Sequence, residues 1–279
     1  MSSTNSSTES NSKKTSNKDV AITPTEMKEL RRVFDQLCFY AEKAPKLQRL
    51  NSLSAQLVEL QRTNNSHDVV LSSTFGDNEP VSHPNHRSQT EHLQQEKTKL
   101  QNELNEIRTR PEQIIRQEDT AIKMKSLGKK MSKKEIRDMM WEVDEKLDGV
   151  IDWEEFQLMF ERNINDTSGL EPASFYHMVQ FMIYDNDCNG MVSIDEIMNL
   201  LYARLGRSKM EHAIAKLFGS ADGTPIKEVG QQGGEIDFGH YWTVVEREQL
   251  KTFQDYEMAK NPVDKKKKKS PSSKLVVHK

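Results

Sequence analysis

The sequence is poor in cysteine, in aromatic side chains and in long apolar runs. Its two cysteines, Cys38 and Cys188, are too few for a framework of disulfides. Hydrophobic residues make up 34% of the chain and charged residues 30%, so we expect a modest core beside solvated helices. No apolar run approaches the roughly 20 residues of a membrane-spanning helix. These absences predict a cytoplasmic protein without a transmembrane segment.

Catalytic motifs and a strong net charge are also missing. The chain contains no G-x-S-x-G elbow, no P-loop and no H-E-x-x-H pair. Its formal net charge of −3 provides no overall attraction to nucleic acid. We therefore expect a protein that is not an enzyme and does not act mainly on nucleic acid.

Residues 185–196, DNDCNGMVSIDE, have the spacing of a cation-binding loop. They fit the pattern D-x-[DN]-x-[DN]-G-x5-E at every position. A hard cation such as Ca²⁺ needs several oxygen ligands around one point, and a tight loop supplies them from alternate positions. The predicted ligands are Asp185, Asp187, Asn189, the Met191 carbonyl, Ser193 directly or through water, and bidentate Glu196.

Amphipathic helices are expected on both sides of this loop, because apolar residues recur there at helical spacing. Pro172 is placed for the first turn of the helix before the loop. Val192 is apolar within this polar segment, at the position where the calcium-binding loops that it resembles form a short β-bridge to a partner loop. The apolar positions are Phe175, Met178, Val179 and Met182 before the loop, and Ile197, Met198, Leu201 and Tyr202 after it.

A second segment, residues 144–155, repeats the pattern with one mismatch. Lys146 stands at a ligand position, and an ammonium group has donors but no acceptor for a cation. The loop is therefore either a weakened calcium site or an empty one, and the sequence leaves both alternatives open. Its predicted ligands are Asp144, Asp148, the Val150 carbonyl, Asp152 and Glu155.

The run from Met124 to Asp144 resembles the segment that leads into the second EF-hand of calmodulin. Ser132 and Glu135 form a capping box at the start of its helix. Together with the loop at 185–196, this run is similar to the calmodulin-like EF-hand superfamily over about residues 108–248. The resemblance implies that EF-hands work in pairs, so vestigial units are expected near 108–128 and 208–248.

Neither vestigial unit carries a full set of ligands. Arg108, Arg110 and Pro111 take ligand positions in the first. In the last unit, Ser208 and Glu211 predict a capping box, and His240 replaces the final carboxylate. We expect both units to be structural and without calcium.

The rest of the chain predicts a helical arm and disordered ends. Thr23, Pro24 and Glu26 predict a capped helix start, and Ala44-Pro45 predicts a break. Apolar residues seven apart in 91–109 leave open a short coiled coil or a helix packed on its own domain. The predicted divisions are 1–20 disordered, 21–63 helical hairpin, 64–90 linker, 91–109 charged helix, 108–250 EF-hand domain and 257–279 disordered basic tail.

We therefore predict an all-α fold of EF-hand pairs and two alternative functions. In the first, the protein is a Ca²⁺ sensor that exposes a Met-rich groove to an amphipathic helix of a partner. In the second, it is a structural linker in a cytoskeletal assembly, and its overall character is similar to ciliary and axonemal EF-hand proteins. The five lysines from Lys265 to Lys269 predict either attraction to an acidic surface, such as a tubulin tail, or a plain solubilising tail.

Overall fold

The computed structural model describes residues 20–72, 84–219 and 234–260, and this part of the chain is all-α with EF-hand pairs. The predicted disordered ends and the lysine run therefore lie almost entirely outside the described residues. Within them, no helix is both long and apolar enough to cross a membrane. The elements are α1 (Pro24–Leu37), α2 (Tyr40–Ser72), α3 (Pro84–Arg108), β1 (Ile115–Arg116), α4 (Gln117–Ser126), α5 (Lys133–Trp141), β2 (Val150–Ile151), α6 (Trp153–Asn165), α7 (Ser174–Tyr184), β3 (Met191–Val192), α8 (Ile194–Leu205), α9 (Arg207–Leu217), β4 (Ile236–Asp237) and α10 (Phe238–Lys260).

Two short antiparallel strand pairs join the loops two by two. Strand β1 pairs with β2, with Ile115 opposite Ile151, and β3 pairs with β4, with Val192 opposite Ile236. Ile151 and Val192 are each the eighth residue of their loop. The strand register therefore sets each calcium-type loop against a degenerate one, the first aligned at 108–119 and the described part of the second at 234–240.

Helix α1 packs inside the EF-hand core instead of forming a separate hairpin with α2. Its predicted start is confirmed, because Thr23 and Glu26 form a capping box. The Phe34 ring centroid lies 5.3 Å from that of Trp153 and 5.2 Å from that of Phe156. Its apolar face is completely buried and consists of Leu30, Val33, Phe34 and Leu37.

The chain turns at Phe39, and the predicted break at Ala44-Pro45 is wrong. Phe39 is buried with a positive φ of 53°, which separates α1 from α2. Pro45 is the sixth residue of α2, so its ring removes one early backbone hydrogen bond without ending the helix.

Helices α2 and α3 form an antiparallel pair. Lys46 contacts Glu103, and Arg49 pairs with Glu96 at 2.8 Å, so partners descend along α3 as α2 ascends. The pair is sealed by a small apolar cluster of Leu53, Leu57 and Leu93. The apolar seam of α3 therefore packs on α2 of the same chain, as the second alternative for 91–109 predicts.

The predicted linker at 64–90 is shorter than expected. Helix α2 continues to Ser72, and α3 begins at Pro84, where a proline at the first helical position is favourable. Residues 85–90 then contain neither proline nor glycine, so nothing local interrupts the helix. Only 73–83 of the predicted linker lie outside the described residues.

The helix starts around the two calcium-type loops agree with prediction only in part. The capping box of Ser132 and Glu135 is confirmed. The one predicted at Ser208 is wrong, because Gly206, with φ of 71°, ends α8 and α9 begins at once. Pro172 lies outside α7, which begins at Ser174.

Most methionines between Met124 and Met210 belong to the core. An exposed Met-rich surface, as expected of an open sensor, is not formed by the described residues in this conformation. The buried methionines are Met124, Met139, Met140, Met159, Met178, Met182 and Met210.

Candidate metal centre

The loop at 185–196 joins α7 to α8 and is shaped by its own side chains. Cys188 and Gly190 adopt positive φ values of 61° and 84°, which produce the sharp bend. At the other end, Ser193 Oγ accepts from the Glu196 N–H at 3.3 Å, and Glu196 Oε2 accepts from the Ser193 N–H at 2.9 Å. This capping box starts α8 and fixes the last predicted ligand.

Three carboxylates of this loop converge on one point. Asp185, Asp187 and Glu196 each offer an oxygen atom, and these atoms all lie within 4.8 Å of one another. Asp185 is only 3% exposed, and its Oδ2 accepts from the Gly190 N–H at 3.2 Å. Its Oδ1 is buried and has no hydrogen-bond partner among the described residues. A buried carboxylate oxygen without a partner is costly, so these residues fit a bound cation.

The pKa shifts of two carboxyl groups in the loop also fit a bound cation. Burial raises the pKa of Asp185, the neighbouring charge of Asp187 raises it further, and the Gly190 N–H opposes both. Burial also acts to raise the pKa of Glu196, but hydrogen bonds from Ser193 and from the backbone of Asp187 and Asn186 together lower that pKa. A doubly charged cation would offset the repulsion between these carboxylates.

The remaining predicted ligands lie on the same loop and bond to neighbouring groups. Asn189 Oδ1 accepts from the Met191 N–H at 2.6 Å, and Asp187 Oδ1 accepts from the Asn189 N–H at 3.1 Å. Ser193 Oγ donates to Glu196 Oε2 at 2.9 Å. The assignment of each side chain as a ligand stays a prediction.

The loop at 144–155 has a closely similar backbone. Leu147 and Gly149 adopt positive φ values of 57° and 83°, at the same positions as Cys188 and Gly190. Asp144 Oδ2 accepts from the Gly149 N–H at 2.8 Å, as Asp185 does from Gly190.

Lys146 places a cation inside this second loop. Its ammonium group contacts Asp152 and lies 3.3 Å from Glu154. The hydrogen bond to Asp152 raises the pKa of Lys146, so the ammonium stays charged at neutral pH. Asp152 therefore already has a positively charged partner within the loop, and calcium binding here stays a prediction.

The other predicted ligands of the second loop accept hydrogen bonds from its backbone. Asp148 Oδ1 accepts from the Val150 N–H at 3.1 Å. The Glu155 carboxylate accepts from the N–H groups of Lys146 at 2.8 Å and Asp152 at 3.1 Å. Among the described residues, the close cluster of three carboxylates occurs at 185–196 and not here.

The first degenerate loop contacts the start of α2, which together with α1 forms the N-terminal arm. Asp119, at its twelfth position, accepts from the N–H groups of Arg116 at 2.9 Å and Ala41 at 2.6 Å. Glu42 of α2 accepts from Arg110 at 2.7 Å and from Arg116 at 3.1 Å. Sequence reasoning missed this role of Asp119, and its signal was the capping-box position three residues after Arg116.

In the last degenerate loop, His240 stands at the twelfth position, as the internal spacing of the units predicts. His240 Nε2 lies 3.0 Å from the Leu217 carbonyl oxygen, and its backbone N–H donates to Asp237 Oδ1 at 2.8 Å. Residues 220–233, which include the start of this loop, lie outside the described part of the chain.

Comparison with known proteins agrees with this architecture. A model of the EF-hand domain pair matches residues 121–163, from α4 through the loop at 144–155 to α6. The matched segment contains the loop with Lys146, which is the weaker of the two predicted sites.

Relatives of the chain are calcium-binding proteins of plants. Calcium-binding protein CML19 of Arabidopsis thaliana is 26% identical over 126 residues, covering 45% of this chain and 68% of the relative. Probable calcium-binding protein CML13 of Oryza sativa subsp. japonica is 28% identical over 127 residues, covering 45% and 68%. Calcium-binding allergen Ole e 8 of Olea europaea is 31% identical over 130 residues, covering 46% and 74%. The paired loops, the carboxylate cluster and these similarities show that the chain belongs to the calmodulin-like EF-hand family and binds Ca²⁺.

Proposed function

We propose that the protein is a Ca²⁺ sensor and regulatory adaptor, with the loop at 185–196 as the sensing site and a protein as its target. The observation that carries this proposal is the position of α1. This helix contacts both helices that flank the loop, so it is placed to respond when calcium changes the angle between them.

At the end of α7, α1 bonds to the backbone directly before the loop. Arg32 Nη2 donates to the carbonyl oxygens of Met182 at 2.9 Å and Ile183 at 3.3 Å. One turn further along α1, Gln36 Nε2 lies 3.2 Å from Cys188 Sγ inside the loop. These contacts tie α1 to the entrance of the calcium site.

At the end of α8, α1 is held by an ion pair. Glu26 Oε2 accepts from Arg204 Nη2 at 2.6 Å, and the Glu26 side chain is only 9% exposed. Burial acts to raise the pKa of Glu26, but the hydrogen bond from Arg204 helps to lower it, so the carboxylate stays charged. Helix α8 begins at the loop's last residues, so a change in the loop would move it. Movement of α8 away from α7 would strain the ion pair, because α1 also bonds to the end of α7.

A change at the calcium site would therefore be transmitted through α8 and α1 to the surface of the protein. Glu196 would move onto the cation with both oxygens, and α8 would follow because Glu196 lies in its first turn. Helix α1 could not then keep both sets of contacts. Its release would expose the apolar groove and free an amphipathic helix, and a partner's amphipathic helix would take its place.

Trp153 offers a direct test, because its ring packs against Phe34 of α1. In a variant with Trp141→Phe and Trp242→Phe, Trp153 is the only tryptophan left. We expect micromolar Ca²⁺ to shift its emission and to increase binding of an apolar dye. Glu196→Gln should abolish both responses, whereas Asp195→Asn, a change at the exposed neighbour, should leave them intact.

The second candidate function is a structural linker, and the anchoring of α2 favours it. Glu42 joins α2 to Arg110 and Arg116, and both guanidinium groups lie over the Phe39 ring at 4.5 and 4.7 Å. None of these contacts involves a calcium ligand. Calcium binding measured by calorimetry, with no change in Trp153 emission or dye binding, would support the linker and contradict the sensor.

We propose that either function is carried out without catalysis, in the cytoplasm and on a cytoskeletal or ciliary assembly. The support is the overall character of the sequence and the run Lys265 to Lys269, which lies outside the described residues. Co-sedimentation with microtubules, compared before and after removal of tubulin's acidic tails, tests the cytoskeletal assignment. Equal sedimentation with both would contradict a role for the lysine run.

A further inference from the structure

A cavity of about 720 Å³ lies between α1, α2, α3 and α4. The proposed function does not use this cavity as a binding site. Its size is that of a small-molecule site, about 300 to 1,000 Å³. Its walls come from four helices and reach Cys188 of the calcium loop. The charged residues that line it are Arg31, Arg32, Lys43, Arg108, Lys123 and Asp35.

Two of the five cations have acidic partners. Arg31 pairs with Asp35 at 3.1 Å, and Arg32 pairs with Glu29 at 2.5 Å. Arg32 nevertheless keeps one buried nitrogen, Nη1, without a hydrogen-bond partner among the described residues.

The other three cations lack a direct acidic partner among the described residues. No ion pair joins Lys43, Arg108 or Lys123 to a carboxylate within the described residues. Lys43 is only 4% exposed, and its Nζ donates to the uncharged backbone carbonyl of Asp35 at 2.6 Å. Burial lowers the pKa of Lys43 and the positive charge of Arg108 lowers it further, while the charges of Asp119 and Asp35 oppose both.

Three cations without a salt bridge, from α2, α3 and α4, therefore line one cavity, and Asp35 is the one carboxylate among the residues that line it. Such an arrangement is costly in isolation and becomes favourable when an anion enters. Arginine suits bidentate contact with a phosphate group, and lysine supplies a compact positive charge beside it. We propose that this cavity binds a small molecule with two or more phosphate groups.

An acidic peptide is the competing ligand, and the observations favour the small molecule. The three unpaired cations come from three different helices around one cavity, whereas an extended peptide needs cations spaced along a groove. The two ligands share negative charge, so the experiment must separate them.

The test is calorimetric titration of the full chain with inorganic triphosphate and with inositol hexakisphosphate. The buffer is depleted of calcium, because phosphates chelate it. We expect saturable one-to-one binding that is weakened roughly 100-fold in the double variant Arg108→Gln/Lys123→Gln, since each replaced cation should weaken binding about tenfold. The control Lys125→Gln/Lys133→Gln removes the same charge from exposed positions outside the cavity and should bind as the unchanged protein does.

Three results would overturn the proposal. They are no binding at millimolar triphosphate, equal weakening in both double variants, and tighter binding of a hexaglutamate peptide than of either phosphate compound. Failure of the sensor proposal can be distinguished from failure here, because Glu196→Gln, which removes a predicted calcium ligand, should leave phosphate binding unchanged. Thermal unfolding of both double variants checks that they fold.

Discussion

At the scale of single residues, the third position separates the two calcium-type loops most sharply. Lys146 and Asp187 occupy the third position of their loops, and only the carboxylate joins a cluster of ligand oxygens. The sequence predicted this contrast, because an ammonium group cannot ligate a cation wherever it points. It could not predict that Lys146 would bind Asp152, since that depends on which rotamer the folded loop admits.

Replacing Lys146 should create a second strong site. Lys146→Asp removes the competing cation and adds a carboxylate at a ligand position, so we expect calorimetry to show one additional Ca²⁺ per chain. Lys146→Met removes the cation without adding a ligand and is the matched control. If Lys146→Met gained the same additional site, the missing ligand would not be what limits this loop.

His177 makes a second prediction, which concerns pH. Burial lowers the pKa of His177 to about 4, and its Nδ1 has no hydrogen-bond partner among the described residues. Below pH 6.5 the His177 side chain binds a proton in the unfolded chain but not in the folded one. The free energy of unfolding therefore decreases as the pH is lowered from 6.5 to about 4. Between pH 7 and pH 5 the loss is roughly 2 kcal/mol.

Urea unfolding at both pH values measures this loss. His177→Gln keeps a polar side chain beside Gln249 but removes the titrating group, so it should lose less stability than the unchanged protein over the same interval. An identical loss in both proteins would assign the pH dependence to other residues.

At the scale of helices and strands, local signals were predictable and distant contacts were not. The capping boxes of α1 and α5 depend on residues three apart, and the structure confirms both. The burial of α1 in the EF-hand core could not be predicted, because Glu26 meets Arg204 across 178 positions of sequence. A helix with one apolar face fits many grooves, and only tertiary packing selects one.

The ion pair between Glu26 and Arg204 should therefore contribute to both stability and calcium response. Both side chains are largely buried, so Glu26→Gln should lower the free energy of unfolding by about 2 to 3 kcal/mol. If the pair favours the closed arrangement, the same change should raise calcium affinity about fivefold or more.

Urea unfolding and calcium calorimetry measure the two effects. Glu211→Gln breaks the exposed pair with Arg207 and is the matched control, expected to cost under about 0.5 kcal/mol. A double-mutant cycle with Arg204→Gln isolates the interaction itself. Equal losses in Glu26→Gln and Glu211→Gln would show that the buried pair does not hold α1.

At the scale of the whole molecule, the four units are joined in two pairs, each with one calcium-type loop and one degenerate loop. The sequence predicted the degenerate partners, because an apolar loop strand needs another to bridge. It did not predict that the first would contact the arm, since Glu42 and Arg110 are each unremarkable in isolation. The boundaries of the N-terminal helices and of the EF-hand domain also depend on contacts between residues far apart in sequence.

The bond between Glu42 and the two arginines has a consequence for any assembly that contains this protein. The Glu42 carboxylate of α2 is a counter-ion for two arginines of the first degenerate loop, and because it belongs to the same chain it cannot diffuse away. If the protein attaches to an assembly through α2, as the linker proposal requires, that attachment would not depend on the calcium concentration. One polypeptide would thereby combine an attachment that is independent of calcium with a site that responds to it.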